Sequence, residues 1–233
     1  MIPVYFEDEG LEKYVMDGDS LIAVPFQISE DVRGERKITA YRSFGDFAED
    51  FARRFEQDPF SREAKEYVEK TLAPKMKSAG YEYESEYDQT VVSYEAVKDK
   101  LAPVSRSVCV ELIDNNERLS QLYFATTRDV EIDDGDPADC VAAAVRDSVV
   151  LSAASVNDYS DDGSVEINVE TAINERCKGY AVACVSALAA YLLSLGERVS
   201  YKCRETNVAS RRVAEKCGLV YTGKTYNFVC YSK

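Results

Sequence analysis

The chain has 233 residues, of which 45% are apolar and 30% charged, and its 42 acidic and 28 basic side chains leave a net charge of −14. That length is enough to bury a sizeable core in one large or two small units, and the composition is that of a globular chain rather than a disordered one. The negative field repels nucleic acid and anionic lipid, no apolar run reaches the roughly eighteen residues needed to span a membrane, and the absence of histidine removes the commonest general base and the commonest metal ligand.

The run Ser20 to Gln27 (SLIAVPFQ) predicts a short strand. Phe44, Phe47, Phe51 and Phe55 recur at helical spacing and predict a helix with one apolar stripe. A second helix is expected over Ser61 to Ala79, bent or ended by Pro74. Tyr81 to Tyr94 alternates and reads as a strand whose tyrosines serve sheet packing or line a groove. Val108 to Leu112 and Leu119 to Phe124 fit helix or strand equally, and the acidic stretch Glu131 to Asp136 is a break.

Further on, Cys140 to Arg146 and Val149 to Val156 read as two strands turned at Arg146-Asp147, with Asn157 to Gly163 as a turn-rich connection. Val165 to Thr171 alternates and is the next strand. A helix follows, with Val182, Val185, Leu188, Ala189, Leu192 and Leu193 on one face and Gly196 at its C-terminal cap. Arg198 to Cys203 reads as a strand and Asn207 caps a helix through Lys216. Leu219 to Thr222 and Tyr226 to Tyr231 then make two strands around Gly223-Lys224.

Seven cysteines, odd in number and without a CxxC pair, argue against a disulfide framework or zinc site and for a reducing cytoplasm. The stretch Met1 to Gly10 holds Glu7, Asp8 and Glu9 and no basic residue, so no export signal is expected. All cysteines lie beyond residue 103, as do most alanine–valine runs. Composition therefore divides the chain into 1–103, charged and aromatic, and 104–233.

The segment Val165 to Leu188 carries the chemistry. A strand ends, a short loop holds Arg176, Cys177, Lys178, Gly179, Tyr180 and Ala181, and a helix begins at once. A helix N-terminus offers unpaired N–H groups and the positive end of its dipole, which together bind phosphate or pyrophosphate. Gly179 lets the backbone approach such a ligand, and Arg176 and Lys178 add positive charge.

Arg-x-x-Gly-x-Ala at 176–181, followed by a second block with Asn207, Ser210, Glu215, Lys216, Gly218 and Leu219, resembles the GNAT superfamily of acetyl-CoA-dependent N-acetyltransferases, over residues 139–223. The resemblance implies an α/β fold: a mixed, mostly antiparallel sheet splayed at the cofactor strand, with helices on both faces. Residues 1–103 would be an N-terminal α+β extension that shapes the acceptor pocket or a dimer contact. By position, Val169 and Thr171 would offer backbone hydrogen bonds to pantetheine amides, the N–H groups of Cys177 to Ala181 would hold the pyrophosphate, and Asn207 and Ser210 would contact the coenzyme. Acetyl-CoA is the implied cosubstrate, with no metal. The implied acceptor is an amine on a small molecule or peptide, and the acidity favours a cationic one.

Attack of an amine on a thioester needs a group to take the ammonium proton. Glu166, Asn168 and Glu170 share one face of the Val165–Thr171 strand, opposite Val165, Ile167, Val169 and Thr171, and Glu166 is the candidate base. The family's tyrosine acid is replaced here by Ala214. A second reading is therefore an acyl-CoA-binding regulatory module with little or no catalysis.

Overall fold

The computed structural model describes residues 1–8, 14–15, 21–83, 90–103, 108–126, 130–133, 135–159 and 162–232, with backbone alone at residues 14, 15, 21, 158 and 159. Contacts divide the chain into two units, Met1–Val92 with Gly223–Lys233, and Ser93–Thr222. Composition draws its line at 103. The contact division instead puts residues 93–103 in the second unit, where Ala96 N–H donates to Val199 O and Ala102 N–H to Cys217 O.

The first unit begins with strands β1 (Val4–Glu7), β2 (Tyr14–Val15), β3 (Leu21–Asp31) and β4 (Arg36–Tyr41), then helices α1 (Gly45–Arg54) and α2 (Arg62–Ser78), and strand β5 (Tyr81–Tyr83). Strand β6 (Thr90–Glu95) leads into the second unit. The alternating stretch expected over Tyr81 to Tyr94 is thus described only at its two ends, and residues 84–89, like Ser20, lie outside the described residues.

Of the expected phenylalanine stripe, Phe47 and Phe51 are buried on the inner face of α1, while Phe44 and Phe55 flank the helix as its cap residues and are only partly buried. Phe47 and Phe51 meet Phe26 of β3 edge-on, with ring centroids 5.4 and 4.9 Å away. Helix α2 starts where Ser61 Oγ accepts from Ala64 N–H, and it buries Ala64, Val68, Leu72 and Met76. Pro74 lies inside this helix rather than ending it, and Ser78 Oγ donates to the Pro74 carbonyl.

The second unit runs through β7 (Val110–Ile113), a one-turn α3 (Asn116–Leu119), β8 (Tyr123–Phe124), β9 (Val141–Arg146), β10 (Val149–Tyr159) and β11 (Val165–Thr171). Helices α4 (Tyr180–Leu195) and α5 (Val208–Lys216) enclose β12 (Val199–Arg204), and β13 (Val220–Ser232) ends the chain's regular structure. The two stretches that fit helix or strand equally resolve as β7, then the end of α3 followed by β8.

Three expectations are corrected. The hairpin between β9 and β10 turns at Asp147 and Ser148, both at positive φ (51° and 61°), one residue later than expected. Strand β10 continues through Asn157 to Tyr159, where turn-rich composition predicts a connection, and a bulge between Val156 and Asp158 takes up Asn157. The last two predicted strands are one, β13. Gly223 does not break it, because the chain passes so close to β3 that a Cβ there would fall on Glu30 O, and only glycine fits.

The sheet of the second unit is mostly antiparallel: β7, β9, β10 and β11 pair antiparallel in that order, while β11 pairs parallel with β12. One face carries Ile113, Val141, Ala143, Val150 and Ala153 under Leu119 of α3 and Ile132. The other is covered by α4, which packs on β9, β10 and β11 and whose Cys184 thiol points to Ser152 O. The fold is α/β, a mixed sheet with helices on both faces. The buried side of α4 is wider than its predicted stripe, because Ala183, Cys184 and Ser186 join Val185, Leu188, Ala189 and Leu192, while Val182 and Leu193 are only half-buried.

Candidate active site

The parallel ladder between β11 and β12 has three rungs, Val165 to Val199, Glu166 to Ser200 and Ile167 to Tyr201. Beyond them Asn168–Thr171 remain paired to β10 but not to β12, so the two strands form a fork that opens towards the end of β11. Hydrogen bonds at the two ends of β11 fix which backbone groups face it. Val165 N–H donates to Arg198 O on the β12 side, and Ala172 N–H to Leu151 O on the β10 side. No register shift falls within β11, so strict alternation turns the N–H and C=O of Val169 and Thr171 towards the fork, and those of Asn168 and Glu170 towards β10. Ser152 Oγ, which reaches Glu170 O at 2.9 Å from the β10 side, agrees with this. Val169 and Thr171 therefore present backbone donors and acceptors in the position assigned to pantetheine contacts. Arg176 Nε reaches Thr171 O at 3.3 Å.

At the open end of the fork the chain makes one 3-10 turn (Ile173–Glu175), then takes Cys177 to φ 63° and Gly179 to φ 88°, and enters α4. Tyr180 and Ala181 belong to the first turn of the helix, earlier than the Val182 start implied by the apolar stripe. Gly179 is the N-cap and has no side chain to close the first turn, and that turn contains no acidic residue. Arg176, Cys177, Lys178 and Gly179 are exposed, and a Cβ built on Gly179 would meet no heavy atom within 4 Å. These features suit an oxyanion-rich ligand: first-turn N–H groups without a capping side chain, left-handed glycine, open space and flanking cations. The residues present fit the diphosphate of a coenzyme A thioester.

One neighbour competes. Glu175 accepts from Lys178 Nζ at 2.9 Å and lies 3.2 Å from Arg146 Nη2, and the Lys178 hydrogen bond holds its carboxyl below the usual carboxylate range. Lys178 is thus partly neutralised by its own loop.

Asn207 and Ser210 start α5, the helix after the other prong of the fork. Asn207 Oδ1 accepts from Ser210 N–H at 3.1 Å, a capping bond, and Ser210 Oγ lies 2.5 Å from the Tyr201 hydroxyl. Tyr201 is 2% exposed, and burial pushes its phenol up to about 12. Sequence reasoning places both residues correctly at the helix start but misses this hydroxyl pair, which depends on how β12 and α5 pack. Ala214 is fully buried in α5 and brings no polar atom to the site.

On the other face of the fork, Glu166 Oε2 lies 2.7 Å from Lys202 Nζ, with the two side chains 20% and 36% exposed. The candidate base is therefore half-buried and already holds an alkylammonium. Asn168, the first residue beyond the last rung, accepts from Ser155 Oγ at 3.3 Å on the same face. No group of three or more acidic, cysteine or histidine side chains capable of holding a metal occurs among the described residues. Among those residues no helix is long and apolar enough to cross a membrane.

A sequence profile described as an acetyltransferase (GNAT) domain matches residues 88–220. No curated protein matches the chain. Among solved structures, a GNAT-family acetyltransferase from Colwellia psychrerythraea is 14% identical, with a TM-score of 0.45, over 60% of this chain and 56% of that one. A putative acetyltransferase of the same family from Novosphingobium aromaticivorans is 16% identical, with a TM-score of 0.45, over 62% of this chain and 65% of its own. A GCN5-related N-acetyltransferase-like protein from Streptococcus suis is 20% identical, with a TM-score of 0.46, over 74% of this chain and 68% of its own. The chain thus spans less than two thirds of the first two of these structures. The profile covers more than half of the chain, including β11, the Arg176–Ala181 loop, α4, β12 and α5, and on that ground the protein belongs to the GNAT family of acetyltransferases, whose shared chemistry is acyl transfer.

Proposed function

We propose that this chain transfers an acetyl group from acetyl-CoA to the amine of a small molecule or peptide by direct attack. The observation that carries this reading is the fork itself. Backbone groups of Val169 and Thr171 face into it, and the uncapped start of α4 at Gly179 lies at its open end. Acetyl-CoA supplies an activated thioester carbonyl. Val169 and Thr171 orient its pantetheine through main-chain hydrogen bonds, and the N–H groups of Cys177 to Ala181 hold its diphosphate, with Arg176 and Lys178 adding charge. Asn207 and Ser210 line the far prong, and Asn207 binds while also capping its helix.

Glu166 is the proton acceptor. Its carboxylate holds the ammonium of Lys202, and the incoming acceptor's ammonium takes that place. The attacking nitrogen forms its bond to the acyl carbon as the carbon–sulfur bond breaks. Before attack the ammonium gives one proton to Glu166 and on to solvent, which frees the lone pair. The nitrogen's second proton leaves by the same route as the amide forms, and coenzyme A leaves as the thiolate and takes up one proton from solvent. Ala214 brings no acid to this step. An internal lysine on the base is consistent with an acceptor that is itself a primary alkylammonium, and the net charge of −14 draws cations in.

A second reading, an acyl-CoA-binding regulatory module, is favoured by the same two observations seen differently: Glu166 is occupied and position 214 lacks an acid. Calorimetry with acetyl-CoA, followed by thiol release over a panel of polyamines, aminoglycosides and lysine peptides, separates the two. Binding with thiol release supports transfer. Binding without release on any amine supports the regulatory module, and no binding to the folded protein removes both.

A further inference from the structure

Asn168 is a polar residue of the fork that the reaction scheme leaves unused. It is the first residue of β11 past the last rung to β12, and its side chain leaves the sheet on the Glu166 face. Its carboxamide oxygen accepts from Ser155 Oγ at 3.3 Å, and Ser155 is 5% exposed in the sheet. The amide nitrogen is shielded from solvent and has no hydrogen-bond partner in the protein.

A buried amide donor left unmade is costly, so such donors are rare in folded proteins and call for an explanation. Strand preference offers none, because asparagine is among the residues depleted from strands. The bond to Ser155 explains only the oxygen end: it gives that buried hydroxyl a partner, which leucine would not, but leaves the nitrogen unexplained. Position does offer one. Asn168 is flanked by the proposed base Glu166, two residues earlier on the same face, and by Val169, whose backbone turns into the fork.

We propose that Asn168 Nδ2 donates a hydrogen bond to the carbonyl oxygen of the acyl group carried on coenzyme A, and so lets the site distinguish an acyl thioester from the free thiol. The inference rests on the acetyl-CoA reading above and adds a catalytic residue to it. As the amine attacks, electron density moves from the carbonyl double bond onto that oxygen. A donor already fixed in place favours the charged arrangement without reorganising. Ser155 fixes it by holding the other end of the carboxamide. The fork then has separate functions on its parts: main-chain groups of Val169 and Thr171 for the arm, Asn168 for the acyl oxygen, and Glu166 for the proton.

The test is calorimetry of coenzyme A and of acetyl-CoA, each against wild type, Asn168→Leu and Asn168→Ala, with urea unfolding of all three. Wild type is expected to hold acetyl-CoA about tenfold tighter than coenzyme A, the value of one hydrogen bond to a donor otherwise left without a partner. Asn168→Leu is expected to bind the two equally and keep wild-type affinity for coenzyme A, with any fall in the urea midpoint set by the Ser155 hydroxyl it leaves without a partner. If the leucine variant does not fold, Asn168→Ala supplies the same ligand comparison. Equal binding of the two ligands by wild type overturns the proposal, as does a preference that survives in a folded variant. A loss of coenzyme A affinity matching a loss of stability also overturns it, since that marks a purely structural residue. Wild type that binds neither ligand removes the acetyl-CoA reading itself, which separates that failure from the failure of Asn168 alone.

Discussion

Helices α4 and α5 follow the two prongs of the same fork, and they begin in opposite ways. Helix α5 satisfies its own first turn, with Asn207 Oδ1 accepting from Ser210 N–H. Helix α4 starts at a glycine in the left-handed region, with no side-chain cap and no acidic residue in its first turn. Ser61 and Asn115 cap α2 and α3 with side chains, so this chain has the means to close a helix start and does not use it at α4. A helix end whose donors are left to a ligand is the physical signature of an anion site. An end closed by its own asparagine is a structural element first, whatever ligand also touches it.

That contrast breaks most sharply at Gly179. Replacing it with tryptophan puts bulk where the diphosphate is proposed to lie, and acetyl-CoA affinity should fall by at least about 100-fold, or roughly 2.7 kcal/mol. Calorimetry on the folded variant measures this, and near-normal binding would move the ligand away from α4. The left-handed backbone at 179 should also cost about 1–2 kcal/mol of stability, visible in urea unfolding.

Asn207→Ala should do the reverse. Loss of the cap costs about 1 kcal/mol of stability, while acetyl-CoA affinity should change by no more than about threefold. A larger binding loss at unchanged stability would show that Asn207 is spent mainly on the ligand, and the contrast between the helices would dissolve.

Thiol labelling sharpens the comparison without any substitution. Burial pushes the Cys140 and Cys230 thiols up to about 12 and the Cys184 and Cys217 thiols up to about 11, so these four should stay protonated and unreactive in the native protein. Cys109 and Cys177 are exposed and should react with iodoacetamide. Saturating acetyl-CoA should protect Cys177 several-fold and leave Cys109 unchanged, with peptide mapping as the readout. Equal labelling of Cys177 with and without ligand would count against the loop.

The smallest expected effect is at Glu175. Releasing Lys178 and Arg146 with Glu175→Gln should raise acetyl-CoA affinity about two- to fivefold at low salt, and the gain should fade as ionic strength rises. The sign of its pH dependence follows from a carboxyl whose folded value is lowered. Its contribution to stability is present above the unfolded value and is lost as pH falls through the folded one.

The local half of this site was legible in the sequence. Strand alternation, a basic glycine-containing loop and an immediate amphipathic helix identify β11, the loop and α4. An asparagine three residues before a serine identifies the start of α5. What was not legible depends on register. Alternation puts Glu166 and Asn168 on one face, but only the pairing of β11 with β12 brings Lys202 onto Glu166 and leaves the Asn168 nitrogen without a partner. The Tyr201–Ser210 hydroxyl pair joins a strand to the helix after it, and no spacing rule predicts it. Gly223 misled for a related reason. Turns and close backbone approaches both select glycine, and only the neighbouring strand says which applies.

Three rungs are a short seam for a parallel pair, and the shortness shapes how the free protein breathes. Amides of Val165 and Ile167 lie in the seam and should exchange with solvent deuterium only through larger openings. Those of Val169 and Thr171 face the fork and should exchange from the folded state. A ligand that bridges the prongs would lengthen the seam without adding a residue to it, so its arrival should be recorded as slowed exchange at alternate positions along a single strand.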